Sequence, residues 1–267
     1  MNYLLAQKSL PLLNELARRQ TLCAFDFDGT LAPIVEHPDR ARMRGATRTL
    51  LRRVAALYPS IVVSGRSRDD VLGRLRGIPL AGVFGNHGAE ADSARSEDRR
   101  IRRWKNTLQA ALGTLPGVWV EDKGASLAVH YRQSPRPEFS RRRIAEAIAK
   151  LEDVRTVGGK KVINLIANGA ATKGDAVLAA RDRLGCNWIL FVGDDDNDED
   201  AFALGGNLVA VRIGRKKHTR AQYFLHSQAE IDQLLFLIER LRAAELSSAP
   251  GARALGVRRA AASGRNR

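Results

Sequence analysis

The chain has 267 residues, 44% of them hydrophobic, enough to close a sizeable core as one large domain or as a core with a smaller insert. Its formal charge of +15 comes mostly from arginine. The clusters from Arg99 to Lys105 and from Arg141 to Arg143 offer no row of aromatic side chains for base stacking, which argues against a nucleic-acid partner. No apolar stretch approaches membrane-spanning length, and the start, Met1 to Lys8, has no basic residues followed by a long apolar run, as a secretory leader would. Two cysteines, Cys23 and Cys186, form neither a metal-ligand spacing nor a disulfide framework, and fit a reducing cytoplasm.

Short apolar runs ending in Gly, Ser or Asp alternate with helical patterns. Leu22 to Phe25 is the first run. A helix is predicted over Thr47 to Leu57, with Leu50, Leu51, Val54 and Leu57 at helical spacing. Ile61 to Val63 is the second run and ends at Ser64-Gly65-Arg66. A helix over Asp69 to Arg76 leads to the third run, Gly82 to Phe84, which ends at Gly85-Asn86-His87-Gly88. Further on come a helix over Lys173 to Leu184 and the runs Trp188 to Val192 and Leu208 to Ile213. A helix over Gln228 to Leu241 closes the pattern. This alternation predicts an α/β fold, a parallel sheet with helices on both faces and ligands at the carboxyl ends of its strands.

The rhythm breaks between about Ala91 and Ile166. A charged stretch, Ala91 to Arg103, reads as a linker entering a helix. Val118 to Glu121 and Ser126 to Tyr131 predict two strands around the turn Asp122-Lys123-Gly124-Ala125. A helix over Arg141 to Leu151 follows. Val154 to Val157 and Lys161 to Ile166 predict a second hairpin around Gly158-Gly159-Lys160. The expected organisation is a core of residues 1–90 and 168–246, an α+β cap of residues 91–167, and a disordered basic tail over 247–267.

Asp26 and Asp28 end the first apolar run, in Phe25-Asp26-Phe27-Asp28-Gly29-Thr30-Leu31. Ionised groups resist leaving water, so carboxylates do not gather where a buried strand ends without a reason. At spacing i, i+2 they leave a pleat on the same side. Like charges held that close call for a counter-charge such as Mg²⁺, leaving one carboxylate to attack an electrophile. A second acidic run, Asp194 to Asp200, contains Asp195, Asp196 and Asp198 as well, and its spacing alone does not rank them as ligands.

Four loops now form a set. Asp26-Phe27-Asp28-Gly29-Thr30, Ser64 after an apolar run, Lys173 at a helix start and Gly193-Asp194-Asp195-Asp196-Asn197-Asp198 resemble, in order, the four motifs of the haloacid dehalogenase superfamily. Asp26 to Ile34, Ser64-Gly65-Arg66, Gly85 to Glu90, Glu121-Asp122-Lys123-Gly124 leading to His130-Tyr131-Arg132, and Gly193 to Phe202 further resemble the trehalose-6-phosphate phosphatases. The likeness runs from about Leu12 to Leu241. It implies a Rossmann-like core with the cap inserted in it.

The resemblance implies Mg²⁺-dependent hydrolysis of trehalose 6-phosphate, the last step of trehalose synthesis, and functional coupling to a trehalose-phosphate synthase. It implies Asp26 as nucleophile and Asp28 as general acid and base, where an Asp fits a phosphatase and a Thr would fit slow dephosphorylation. Ser64 and the amide of Gly65 would bind the phosphoryl oxygens, and Lys173 would neutralise them. Asp26, Asp194 and the main-chain oxygen of Asp28 would hold the metal, with Asp195 and Asp198 orienting that shell. Thr30, Arg66, Glu121, Lys123 and Asn164 are the remaining expected substrate contacts. Seen singly, Ser64 would read equally well as a helix N-cap, Lys173 as a surface lysine, Glu121 and Lys123 as an exposed turn, and His130 as a core histidine. Where the family often has a Glu followed by Pro, this chain has Asn164, which lacks the negative charge. That departure keeps open a relative with the same chemistry on another sugar phosphate, such as sucrose 6-phosphate. A basic binding protein on the same scaffold is the reading from a different class, and an intact catalytic set argues against it.

Overall fold

The structure is a computed structural model that describes residues 1–35, 37–89, 99–159 and 161–248. In chain order the elements are β1 (Asn2–Tyr3), α1 (Leu10–Arg18), β2 (Thr21–Phe25), α2 (Gly45–Leu57), β3 (Ser60–Val63), α3 (Arg68–Leu75) and β4 (Gly82–Phe84). Next come α4 (Arg99–Leu112), β5 (Trp119–Asp122), β6 (Ser126–His130), α5 (Pro137–Ile148), β7 (Val154–Gly159) and β8 (Val162–Ala167). The chain ends with α6 (Lys173–Arg183), β9 (Trp188–Gly193), α7 (Glu199–Phe202), β10 (Leu208–Ile213), β11 (Tyr223–Leu225) and α8 (Ile231–Ser248).

Seven strands form one parallel sheet in the order β1-β11-β10-β9-β2-β3-β4. The chain leaves β2 toward β3 and β4, then returns on the other side through β9. The order therefore reverses between β2 and β9, where doubly wound sheets open a ligand crevice. β2 is buried along its whole length. Alternation sends Cys23 and Phe25 to one core, with α1, α2 and α8, and Leu22 and Ala24 to a second core, with α6. Apolar burial on both faces is why these strands read as unbroken apolar runs.

A second sheet, antiparallel in the order β5-β6-β8-β7, forms the cap with α4 and α5. Its core packs Trp104, Leu108, Leu127, Val129, Ile144 and Leu165. Trp104, the aromatic inside the first basic cluster, is fully buried there and offers no stacking surface. No helix among the described residues is long and apolar enough to cross a membrane.

Several boundaries differ from expectation. Arg99 to Arg103 belong to α4, not to a linker, because Ile101 and Trp104 are drawn into the cap core. The second cap helix begins at Pro137, whose fixed φ suits a first helical turn, rather than at Arg141. The last helix carries on to Ser248, two residues into the expected tail. Expectations about Glu90, residues 91–98, Lys160 and residues 249–267 fall outside the described residues.

Candidate active site

The strand β2 stops at Phe25, so no pleat carries Asp26 and Asp28 together, as their spacing had suggested. The chain instead turns around the fully buried Phe27, whose carbonyl accepts the amides of Leu31 and Ala32 at 3.0 and 2.8 Å. The turn delivers the same outcome: Asp26 and Asp28 line one cleft. Gly29, at φ +83°, lets the turn pass close to Asp194, because a Cβ there would lie 2.1 Å from an Asp194 carboxylate oxygen.

Beneath the cleft, Lys173 is buried and donates to Asp26 Oδ1 and Asp198 Oδ1, both at 2.7 Å. The capping box between Thr172 and Asp175 fixes the helix start that carries it. Burial works against the Lys173 ammonium, but Asp198 and Asp26 outweigh it and raise its pKa. Asp26 itself is pushed well up, first by burial and, against the pull of Lys173, by the neighbouring Asp198 and Asp194. Asp198 Oδ2 accepts the amides of Asp194 and Asp195, both at 2.9 Å. Asp195 caps the turn that follows, and Arg212, itself buried, donates to the Asp195 carbonyl at 2.9 Å. Gly193 leaves room for the Asp198 carboxylate, which a Cβ would meet at 2.4 Å.

Asp26, Asp194 and Asp198 offer carboxylate oxygens within 4.8 Å of one another. Hard oxygen donors in that number suit a divalent cation. With Lys173 and two amides bound to it, Asp198 serves to hold the loop, while Asp26 and Asp194 face the cleft.

On the other wall Arg66 grips Asp28 with both arms of its fork, Nε to Oδ2 at 2.6 Å and Nη2 to Oδ1 at 2.7 Å. Its Nη1 donates to Asp70 at 2.7 Å, and its guanidinium stands 5.8 Å from the Phe27 ring centroid. The helix α3 is capped by Ser67, not Ser64. Ser64 is fully buried and its hydroxyl accepts the Arg66 amide at 3.2 Å, so it shapes the loop rather than lining the cleft. Thr30 is also fully buried and away from the cleft wall; its carbonyl accepts from Gln228 at 2.9 Å.

The cap closes the cleft, a cavity of about 290 Å³, with Glu121, Lys123, His130 and Asn164. Lys123 donates to the Gly65 carbonyl at 3.0 Å and to Asn164 Oδ1 at 3.3 Å. Burial lowers its pKa, and Glu121 at 4.0 Å only partly offsets that. Glu121 is itself partly buried, yet the 2.8 Å contact to His130 and then Lys123 bring its pKa down. His130 is no core histidine: it stacks on the exposed Trp119 at 4.0 Å and turns its other edge to Glu121. Asn86 ties cap to core, accepting from Ser126 at 2.6 Å and donating to the Lys123 carbonyl at 3.0 Å. The expected residues other than Ser64, Thr30, Lys173 and Asp198 thus meet around one space. Residues with no assigned role, His87, Asn197, Asp70 and Arg132, join them. The unusual loop Gly85-Asn86-His87-Gly88 was the signal for His87, while Asn197 and Arg132 lie inside motifs already singled out.

A capped, doubly wound α/β core with an acidic cluster at the carboxyl edge of its sheet is the class that this fold and this site define. The trehalose-phosphatase profile matches residues 24–229, and the chain belongs to that family. It is 30% identical over 257 residues to the Zea mays trehalose 6-phosphate phosphatase RA3, covering 84% of this chain and 71% of that protein. It is 34% identical over 219 residues to the Mycobacterium tuberculosis trehalose-phosphate phosphatase, covering 75% of this chain and 55% of that protein. The chain therefore spans about half the length of the mycobacterial relatives it matches. The C. albicans trehalose-6-phosphate phosphatase C-terminal domain shares the fold, with a TM-score of 0.74 at 23% identity over 86% of this chain and 97% of that one.

Proposed function

We propose that the chain hydrolyses trehalose 6-phosphate to trehalose and orthophosphate, the last step of trehalose synthesis. The observation that carries this reading is Lys173 bridging Asp26 and Asp198 under a cleft whose far wall is Glu121 and Lys123. Phosphoryl transfer asks mostly for positioning and charge neutralisation, which such an arrangement supplies.

Asp26 attacks phosphorus, forming the acyl phosphate as the bond to the sugar oxygen breaks. Asp28 gives that oxygen its proton. It then takes a proton from the water that attacks phosphorus and frees Asp26. Both Asp28 oxygens are held by Arg66, so Arg66 must first transfer its fork to the incoming phosphate. The Gly65 amide and Lys173 hold the other phosphoryl oxygens, and Ser64 supports that loop. Asp26, Asp194 and the main-chain oxygen of Asp28 would hold Mg²⁺, which would supply charge neutralisation toward the dianion when bound. Lys123, Glu121 and Asn164 take the sugar hydroxyls. In this account the cap and core divide near residues 90 and 168, and the enzyme works in the cytoplasm, alongside a synthase that makes its substrate.

One observation favours a second sugar phosphate, such as sucrose 6-phosphate. The Asn164 amide is already spent on Lys123 and on the Val157 carbonyl at 3.3 Å, leaving fewer groups for a distal glucose. Phosphate release from a panel of sugar phosphates with Mg²⁺ decides between them. Trehalose 6-phosphate should turn over best; comparable rates on glucose 6-phosphate would remove the disaccharide claim.

A further inference from the structure

A second cavity, of about 230 Å³, opens between the cap strand β7 and the core loops that carry Lys173 and Asp196. His87 and Asn197 line both this cavity and the sugar cleft, so they stand at the junction of the two. Around it are two polar atoms that are buried and make no hydrogen bond, Nη2 of Arg155 and Oδ1 of Asn197, beside the buried ring of His87, whose one side-chain partner is Asn164. A buried polar atom of this kind is unfavourable if nothing meets it. Two such atoms and a buried imidazole around one polar space point to an occupant.

The position of His87 is built. It is 5% exposed, and its backbone, at φ 60°, follows Asn86 at φ 48°. Two successive non-glycine residues in the left-handed region are strained, and the hydrogen bonds of Asn86 to the cap help to hold them there. The ring fills the space over Gly65, where a Cβ would come within 2.5 Å of it. Burial, then Lys173 and Lys123, lower its pKa against the contact to Asn164, so the ring is neutral and one nitrogen carries a proton to donate.

The rest of the lining sets the chemistry. Arg155 meets Asp200 only at 3.7 Å, which leaves Nη2 for another acceptor. Helix α6, of 11 residues, starts at Thr172 and Lys173 on the cavity wall and adds the positive end of its dipole. Asp196, the other acidic residue of the lining, is drawn toward Lys216 and Arg212. An occupant must accept from a guanidinium and an imidazole N–H, and must also donate to Asn197 Oδ1. Monohydrogen phosphate has three acceptor oxygens and one O–H. A carboxylate or a halide has no proton to give.

We propose that this cavity is a second orthophosphate site, a station past His87 for phosphate leaving the reaction centre while the sugar cleft is occupied. The inference rests on the reading that the chain releases orthophosphate. Its test is a binding count that needs no turnover. Calorimetric titration of the full chain with inorganic phosphate, in Mg²⁺, should give two phosphates per chain. Arg155→Met should give one, with the remaining constant changed less than about twofold, and Arg155→Lys should recover part of the second. Val157→Phe, which fills the cavity without changing its charge, should also give one, and covers the case in which Arg155→Met fails to fold. A single phosphate per wild-type chain, or two in both Arg155→Met and Val157→Phe, overturns the proposal. In kinetics on p-nitrophenyl phosphate, inhibition by phosphate should be mixed for wild type and competitive for Arg155→Met; competitive inhibition of both also overturns it. If no ester is hydrolysed, the functional reading fails, and the binding count still decides this one.

Discussion

Arg66 holds Asp28 by both carboxylate oxygens, at 2.6 and 2.7 Å, across 38 residues of chain. In the proposed mechanism Asp28 exchanges protons with the sugar oxygen and then with water, and the fork would set its position before substrate arrives. The contact ties the loop after β2 to the loop after β3, and Asp70 and Arg74 extend it along α3.

Replacing the planar fork with a point charge should therefore be costly. Arg66→Lys keeps the charge and loses the two-pronged contact. Losing a hydrogen bond to a charged group is worth about 1.5–3 kcal/mol, or about 10–100-fold in kcat/KM. Steady-state kinetics on the preferred sugar phosphate check this; an unchanged kcat/KM would mean Arg66 plays no part in the reaction.

The Lys173 pair separates stability from chemistry. Lys173→Met leaves Asp26 and Asp198 buried without their cation, which should cost about 3–5 kcal/mol in urea unfolding. Activity should fall about 10³-fold or more. Adding Asp26→Asn removes one of the stranded charges, so the double variant should regain part of the stability and none of the activity.

Much of this was legible in the sequence, and the reason is physical. Strands buried on both faces appear as apolar runs, and the polar residues that end them mark the carboxyl edge of the sheet. Asp26, Asp194 and the loop after β3 could thus be assigned to one edge before any contact was known. β1 and β11 escaped notice because strands of two and three residues at a sheet edge have too little periodicity to register. The Arg66–Asp28 contact depends on β2 lying beside β3 in a particular register, which no local pattern encodes. Ser64 and Thr30 matched their motif positions, yet their side chains are buried under the cleft rather than facing it. His87 went unassigned because a histidine in a glycine-rich loop shows its loop, not its burial at the junction of two cavities.

The cap lysine predicts a pH effect. Burial lowers the pKa of Lys123, and the group loses its charge as pH rises through that value. Substrate binding should weaken along an alkaline limb that begins below the ordinary lysine range, with KM rising and kcat little changed. The limb should vanish in Lys123→Met, whose KM is high at every pH. A KM independent of pH in the wild type would contradict the role given to the ammonium.

Gly29 tests the metal cradle without touching a carboxylate. Gly29→Ala forces a Cβ against Asp194 and a left-handed backbone that costs about 1–2 kcal/mol for an ordinary residue. The Mg²⁺ concentration for half-maximal activity should rise at least tenfold, while far-UV circular dichroism stays native. Chelation by EDTA should abolish wild-type turnover and added Mg²⁺ should restore it.

The central claim is that Asp26 takes the phosphoryl group from the sugar. Rapid acid quench during turnover of trehalose 6-phosphate with Mg²⁺, followed by peptide mapping, reads it directly. The account predicts a phosphoryl group on Asp26 and loss of both adduct and activity in Asp26→Asn. A phosphoryl group on any other side chain, or full turnover by Asp26→Asn, would contradict it.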